Sequence, residues 1–446
     1  MGISNQAPWS ESLAVFERFL EVNPSTKFLR LQWLDYTASL RERILPIKQA
    51  HDMFRREKFV GITKAALGLL QTDVSCPGTM PTGEYPLYPR FESLRNINRP
   101  KYAVVQCEFR EENGDQLAIC PRTFLRQAVE QSEAHGLKYL LGFEIEVCFV
   151  SWVIRDGEFH YGEDPVTQGH AWSTSRPLED DNIMNLLESI MESLENSKIV
   201  VQHFHPEAAP GQFEFVLQPL PPLEAVDTLV AAREIISTVA MRYSLRATLV
   251  PKPYPEAPGT GAHLHLSMDP PHLHDKFYAG ILKHLRAIAA FTYPTAMSYE
   301  RVTDSVWAGG TWIAWGTQNR ETPLRKIENS HFEIKCMDGL ANPYLALGAL
   351  LRTGLHGILT SQPLTLKDDP IDPAQQSRKE RQELGIKDTF PASLAEALVN
   401  LRADTELIEI LGQPVVEHYL TVKKAEDEML MNMEEMKRKD FMTGRY

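Results

Sequence analysis

Phe204-His-Pro-Glu-Ala-Ala-Pro-Gly-Gln-Phe-Glu214 sets two carboxylates, Glu207 and Glu214, on either side of Pro210-Gly211. A Pro-Gly pair turns a chain back on itself, so the two carboxylates come within reach of one cation. A second stretch, Gly259-Thr-Gly-Ala-His-Leu-His265, alternates imidazole with leucine. That is strand periodicity, with His263 and His265 on one face. A third, Tyr139-Leu-Leu-Gly-Phe-Glu-Ile-Glu-Val-Cys-Phe149, puts Glu144 and Glu146 on one face and Phe143, Ile145 and Val147 on the other. His331-Phe-Glu-Ile-Lys-Cys336 repeats the device with Glu333 and Lys335.

Gathered in one pocket, Glu144, Glu146, Glu207, Glu214, His263 and Glu333 would repel one another strongly unless cations were bound. Oxygen-rich ligands with a single imidazole suit Mg2+ or Mn2+ better than zinc. Separate, solvated strand faces are the alternative. Arg301, Arg320 and Arg325 supply guanidinium forks of the kind that hold phosphate or carboxylate.

Outward from these strands, Trp9 to Val22 reads as a helix capped by Ser10, Phe28 to Asp35 as a strand, and Arg41 to Ile47 as its return. Helices are expected over Ile47 to Phe59, Pro121 to His135 (with Gly136 as C-cap), Asp181 to Glu195, Leu223 to Ser244, Ile281 to Tyr293 and Asn342 to Leu359. Phe159 to Pro177 reads as loop and Pro363 to Ile386 as a polar mobile loop. Ser393 to Phe441 is helical and charged, its run Glu426 to Lys439 reading as a solvated face; His272, His274 and His284 read as surface. Trp307, Trp312 and Trp315 around Gly309-Gly310 suggest a loop that packs on something flat or apolar. A domain boundary is placed near residue 118.

The 446 residues can bury a large core, and their 43% hydrophobic and 24% charged content is that of a soluble protein. A net charge of -13 argues against nucleic acid and anionic membranes as partners. Residues Met1 to Ser12 carry no apolar signal core and only a weak myristoylation pattern. The five scattered cysteines form no CxxC pair and read as reduced thiols of a cytoplasmic protein.

Gly142-Phe-Glu-Ile-Glu146, the Glu207 to Glu214 run, Gly259 to His265, Asn319-Arg320 with Arg325, and Glu333 followed by Asp338 and Ala341-Asn-Pro-Tyr-Leu345 resemble the glutamine synthetases in order and spacing. The bacterial-type class is most similar, and the finer pattern looks like the glutamine-synthetase-like half of the fungal FluG proteins, without their amidohydrolase half. The resemblance implies an α+β fold, with an N-terminal β-grasp domain (1–118) and a catalytic domain (119–446) built on a curved antiparallel sheet packed by helices. It implies an ATP-dependent ligase of nitrogen metabolism that joins glutamate to ammonia or an amine through an acyl phosphate. Subunits would stack as hexameric rings, with each site shared between neighbours.

By the same resemblance, Glu146, Glu207 and Glu214 would hold one Mg2+ or Mn2+, and Glu144, His263 and Glu333 a second. His265, Ser267 and Arg325 would contact ATP. Gly259, Arg301 and Lys335 would bind the acid, and Arg320 and Arg325 the transferred phosphoryl group. Asp35 would serve the neighbour's ammonium site. The chain departs from the pattern at Trp307, where the family has a loop glutamate, at His331 and Lys335, where it has arginines, and at Pro258, where it has asparagine. These changes fall on the acceptor side, so an organic amine resting on Trp307, Trp312 or Trp315 is expected in place of ammonium. A catalytically weak relative with a signalling or structural role is the alternative. Another carboxylate–amine ligase, or a guanidino kinase sharing the sheet, is more distant.

Overall fold

The alternation in Phe28–Leu34 buries Leu29, Leu31 and Trp33 on one face of the first strand. The computed structural model describes residues 9–97, 99–155, 157–163 and 170–446; the readings of residues 1–8, and of 164–169 in the expected loop, lie outside these. In chain order the first part runs α1 (Trp9–Val22), β1 (Phe28–Leu34), β2 (Leu40–Pro46), α2 (Ile47–Phe54), β3 (Val60–Thr63), β4 (Glu84–Pro89), β5 (Arg95–Asn96) and β6 (Tyr102–Phe109). The strands form one sheet in the order β2-β1-β6-β4-β3, with β5 also on β6. β1 and β6 are parallel and the other pairs antiparallel, an arrangement compatible with the β-grasp expectation. Phe16 of α1 and Ala50 and Phe54 of α2 complete this core. α2 stops at Phe54, short of Phe59, because Arg55-Arg56-Glu57-Lys58 offers no apolar face and Glu57 turns left-handed at φ 51°.

The second part runs α3 (Pro121–Ala134), β7 (Lys138–Arg155), β8 (Glu158–Glu163), α4 (Asp181–Asn196), β9 (Val201–Pro206), β10 (Gln212–Leu217), α5 (Pro222–Ala240), β11 (Arg246–Thr248), β12 (Leu264–Asp269), α6 (His274–Thr292), α7 (Ala296–Tyr299), β13 (Trp315–Thr317), β14 (Leu324–Glu328), β15 (His331–Ile334) and α8 (Pro343–Leu359). Five further helices follow: α9 (Arg378–Glu383), α10 (Leu394–Ala403), α11 (Thr405–Leu411), α12 (Gln413–Met431) and α13 (Glu435–Thr443). Its sheet has the order β13-β14-β15-β12-β7-β10-β9, with β8 and β11 also on β7, and is antiparallel except for β13 beside β14. The 18-residue β7 is its axis, pairing with β12 over its first third, β10 in the middle, and β11 and β8 at its end. The fold is thus α+β. Among the described residues no helix is long and apolar enough to cross a membrane.

A buried ionic network joins the two parts. Glu108 of β6 accepts from Arg122 and Arg126 of α3, each at 2.9 Å, and Arg122 also reaches Asp227 of α5 at 2.7 Å. The Tyr344 hydroxyl of α8 donates to the same Asp227 at 2.6 Å.

Several local expectations are corrected. Ser10 lies inside α1, so it is not an N-cap. Gly136 follows the cap residue His135 and supplies the left-handed turn, φ 76°. Phe159 to Glu163 pairs with β7 as strand, not loop. The segment 363–386 is not all loop, since it carries α9, and Asp369 within it is fully buried with its carbonyl accepting from Asn319 Nδ2. His284 is buried and pairs with Asp404 Oδ2 at 2.7 Å, so it is not a surface group. Glu426 is equally buried, against Lys423 at 2.6 Å. In both cases the burying partner comes from a distant or neighbouring turn that periodicity alone does not show.

Candidate active site

The turn at Pro210-Gly211 closes the β9–β10 hairpin, with Gly211 left-handed at φ 65°. Glu214 then lies directly across from Glu146 of β7. On the other edge of β7, β12 brings in His265, with His263 just ahead of it, and His265 faces Glu333 of β15 in register. Four strands therefore aim carboxylates and imidazoles at one spot.

His263 Nδ1 stands 2.9 Å from Glu144, 3.5 Å from Glu146 and 3.4 Å from Glu333. Glu144, Glu214 and His263 can offer ligand atoms within 4.8 Å of one another, and so can Glu144, His265 and Glu333. His265, expected at the nucleotide, thus also belongs to the cluster; its Nε2 pairs with Glu144 Oε1 at 2.9 Å and its Nδ1 with His331 Nε2 at 2.8 Å. Glu146 Oε2 accepts from the Gly261 amide at 2.7 Å and from Gln212 at 3.1 Å. Glu207 stands at the hairpin tip with His205 beside it, 3.3 Å away. His203, His205 and Glu214 make a further triad of possible ligand atoms.

The electrostatics show the strain. Burial, followed by Glu144, Glu146, Glu207 and Glu333, pushes the Glu214 carboxyl up to about 10. Burial would also raise Glu333, but Lys335 and His263 outweigh it and hold the group down at about 2. Lys335 Nζ and Arg325 Nη1 each lie 2.9 Å from Glu333. Burial is likewise overcome at Glu144, where hydrogen bonds from His263 and His265 keep the carboxylate well below its usual range. His265 is raised: burial opposes its charge, but Glu144 and Glu333 favour it more. An oxygen-rich cluster in which one carboxylate must be protonated to tolerate its neighbours fits divalent cations.

The anion-binding groups surround it. Arg301 is buried; its Nη2 donates to His263 Nε2 at 3.0 Å, and its Nη1 has no hydrogen-bond partner among the described residues. Arg325 Nε is likewise buried without a partner among the described residues, while Arg320 is exposed. Gly259 and Gly261 make room for Arg301. A Cβ on Gly259 would meet Arg301 Cγ at 2.6 Å, and one on Gly261 would meet Arg301 Nη2 and His263 Nε2, each at 2.6 Å. Ser267 is half-buried on β12, two residues beyond His265. Asp35 lies in the N-terminal part, fully buried, its carboxylate spent on Arg41 at 2.6 Å and on Thr37 and Ser39.

Of the three tryptophans, two only pack. Trp315 Nε1 donates to the Leu366 carbonyl, and Arg381 stacks over Trp312 at 4.1 Å. Trp307 is 55% exposed. Its ring meets Trp172 edge-to-face at 5.9 Å, and Trp172 in turn meets His205 at 6.4 Å. Trp172 was not anticipated, since it sits in a segment without periodicity. Glu321, which accepts from the Trp307 amide at 2.9 Å, was also missed, though its place beside Arg320 was a signal.

The glutamine synthetase catalytic-domain model matches residues 118–441. "Protein fluG" of Emericella nidulans is 40% identical over 438 residues, 98% of this chain, and the chain spans half the length of that relative. "Gamma-glutamylpolyamine synthetase GlnA3" of Streptomyces coelicolor is 32% identical over 378 residues, 78% of either chain. A solved "GmaS/ADP complex" superposes with a TM-score of 0.80 over 94% of this chain and 97% of its own, at 24% identity, a likeness of fold. The chain belongs to the glutamine synthetase family.

Proposed function

We propose that the chain is an ATP-dependent ligase that joins the γ-carboxylate of glutamate, or of a similar acid, to ammonia or an organic amine. The observation that carries this is the convergence of Glu144, Glu146, Glu214, Glu333 and His263 beside two guanidinium groups with buried, unpaired donors. Glu146, Glu207 and Glu214 would hold one Mg2+ or Mn2+, and Glu144, His263 and Glu333 the other. Those ions would supply positive charge to the nucleotide phosphates.

The carboxylate is a poor acyl donor because its leaving group would be oxide. An oxygen of the acid attacks the γ-phosphorus of ATP, the bond to the bridging oxygen breaks, and ADP leaves. The acceptor nitrogen then attacks the acyl carbon, inorganic phosphate departs with the electron pair, and the nitrogen gives a proton to solvent. Arg301 receives a carboxylate of the acid with its open Nη1. Arg325 and Arg320 would bind the oxygens of the phosphoryl group. Lys335 balances Glu333, and His265 and Ser267 line the nucleotide side. Cytoplasmic subunits assembled in stacked hexameric rings would complete each site with a neighbour's N-terminal sheet.

The test is phosphate release from ATP with glutamate, given ammonium and a panel of amines one at a time. Release that needs acid, acceptor and Mg2+ together supports the reading. A protein whose melting temperature ignores Mg2+-ATP contradicts it.

A further inference from the structure

Resting on that reading, we propose that Trp172 and Trp307 form the acceptor pocket, and that it takes a primary amine carrying a carbon chain.

Four observations carry this. First, Trp172 is 51% exposed and Trp307 55%, beside Val306 at 47%. Large apolar groups left exposed side by side mark a place where something apolar docks.

Second, the pair stands at the cluster. Trp172 contacts His205, and His205 lies 3.3 Å from Glu207. The segment that carries Trp172 is fastened to the same hairpin, for Ser173 N donates to the Pro206 carbonyl at 2.9 Å and His170 Nδ1 pairs with the Glu207 carbonyl at 3.0 Å. On the other side, the loop that carries Trp307 packs over Lys335. A Cβ on Gly309 would come within 3.1 Å of the Lys335 Cβ, next to Glu333. The two indoles therefore bridge the Glu207 and Glu333 ends of the carboxylate cluster.

Third, Trp307 is held in a conformation it does not favour. Its φ is 60°, and Ser305 has φ 61°. For a bulky side chain the left-handed region costs about 1 kcal/mol or more. An exposed tryptophan gains little burial to offset that. Three carboxylates impose it: Glu321 on the Trp307 amide, Asp372 on the Ser305 hydroxyl at 2.6 Å, and Asp304 on Thr311 at 2.7 Å. Strain enforced from several sides at the mouth of a site has a use there.

Fourth, the chemistry matches one ligand class. Ammonium has no carbon surface to lay on an indole. An alkyl or aryl amine does, and the two indoles, in edge-to-face contact at 5.9 Å, present their exposed carbon surface side by side.

The experiment compares methylamine, butylamine, benzylamine and putrescine as acceptors in wild type, Trp172→Ala, Trp172→Phe and Trp307→Ala. Butylamine or benzylamine should show a KM at least about tenfold below that of methylamine. Trp172→Ala should remove that preference and Trp172→Phe restore most of it, with a much smaller change in the KM for ATP. Calorimetric titration of the same amines into the protein with Mg2+ and ADP gives a second readout that does not need turnover. Equal KM values for all amines, efficient use of ammonium alone, or an unchanged preference in Trp172→Ala would each overturn the pocket and leave the ligase reading intact. A Trp172→Ala protein that changes only its size in light scattering would assign the indoles to a subunit contact instead. Failure of the ligase reading is seen separately, as absence of Mg2+-ATP binding. Amine binding that is then indifferent to Trp172 would overturn the pocket too.

Discussion

Arg301 and His263 share a hydrogen bond of 3.0 Å that fixes which imidazole nitrogen is bare. An arginine nitrogen can only donate, so His263 Nε2 accepts and the ring proton sits on Nδ1, facing Glu144 at 2.9 Å. A cation that takes Nδ1 must displace that proton.

Arg301 is therefore expected to act in two opposite directions. Removing its charge in Arg301→Ala should tighten Mn2+ binding by about threefold or more, since a buried positive group leaves the cluster. The same change should raise the KM for the acid by about tenfold or more. Titration calorimetry and steady-state kinetics on one preparation check both. Weaker Mn2+ binding would show that the arginine supports the cation.

Gly261→Ala should cut activity sharply with little loss of fold. The added methyl would sit 2.6 Å from both Arg301 Nη2 and His263 Nε2, and 3.0 Å from Glu146 Oε1. These are side-chain ends that can shift, so the cost falls on the site. A drop in kcat/KM of about a hundredfold is expected, with a melting temperature within a few degrees of wild type.

Glu214 sets a pH dependence. Its carboxyl is raised to about 10 by burial and four neighbouring carboxylates, far above its value in the unfolded chain. Between those values the folded protein holds the extra proton, so cation-free stability falls as pH rises. Divalent cation should flatten that decline, because it replaces the proton. Glu214→Gln should remove the slope and the Mn2+-induced rise in melting temperature together. Melting curves from about pH 5 to 9, with and without Mn2+, decide it. A slope that persists in the variant would assign it elsewhere.

Glu108 gives the opposite sign. Burial would raise it, but Arg122, Arg90 and Arg126 hold it at about 2. Its contribution is complete above the unfolded carboxyl value and is lost as pH falls toward about 2. Glu108→Gln leaves two buried arginines under-paired and should cost about 3 kcal/mol. Urea unfolding at neutral and acidic pH measures both effects.

The ligand strands were legible because one physical rule governs them. Side chains alternate across a strand, so Glu144 with Glu146 and His263 with His265 announce a polar face over an apolar one. That rule also located Glu333, while the Pro210-Gly211 pair located the β9–β10 turn. It is silent about which faces meet. Trp172 and Glu321 acquire meaning only by approaching Trp307 from elsewhere in the chain. His284 was misread because Asp404, its partner, is 120 residues away. The paired identity of His265 and Glu144 was similarly invisible, although each was singled out alone.

β7 is pinned along its length, by β12, then β10, then β11 and β8. A strand so clamped cannot tilt where Glu144 and Glu146 sit. Under the proposed reaction this frame stays put while the reactants come and go past the hairpin tip 207–211 and the loop 304–310. Amide hydrogens along the middle of β7 should accordingly be among the last to exchange with heavy water.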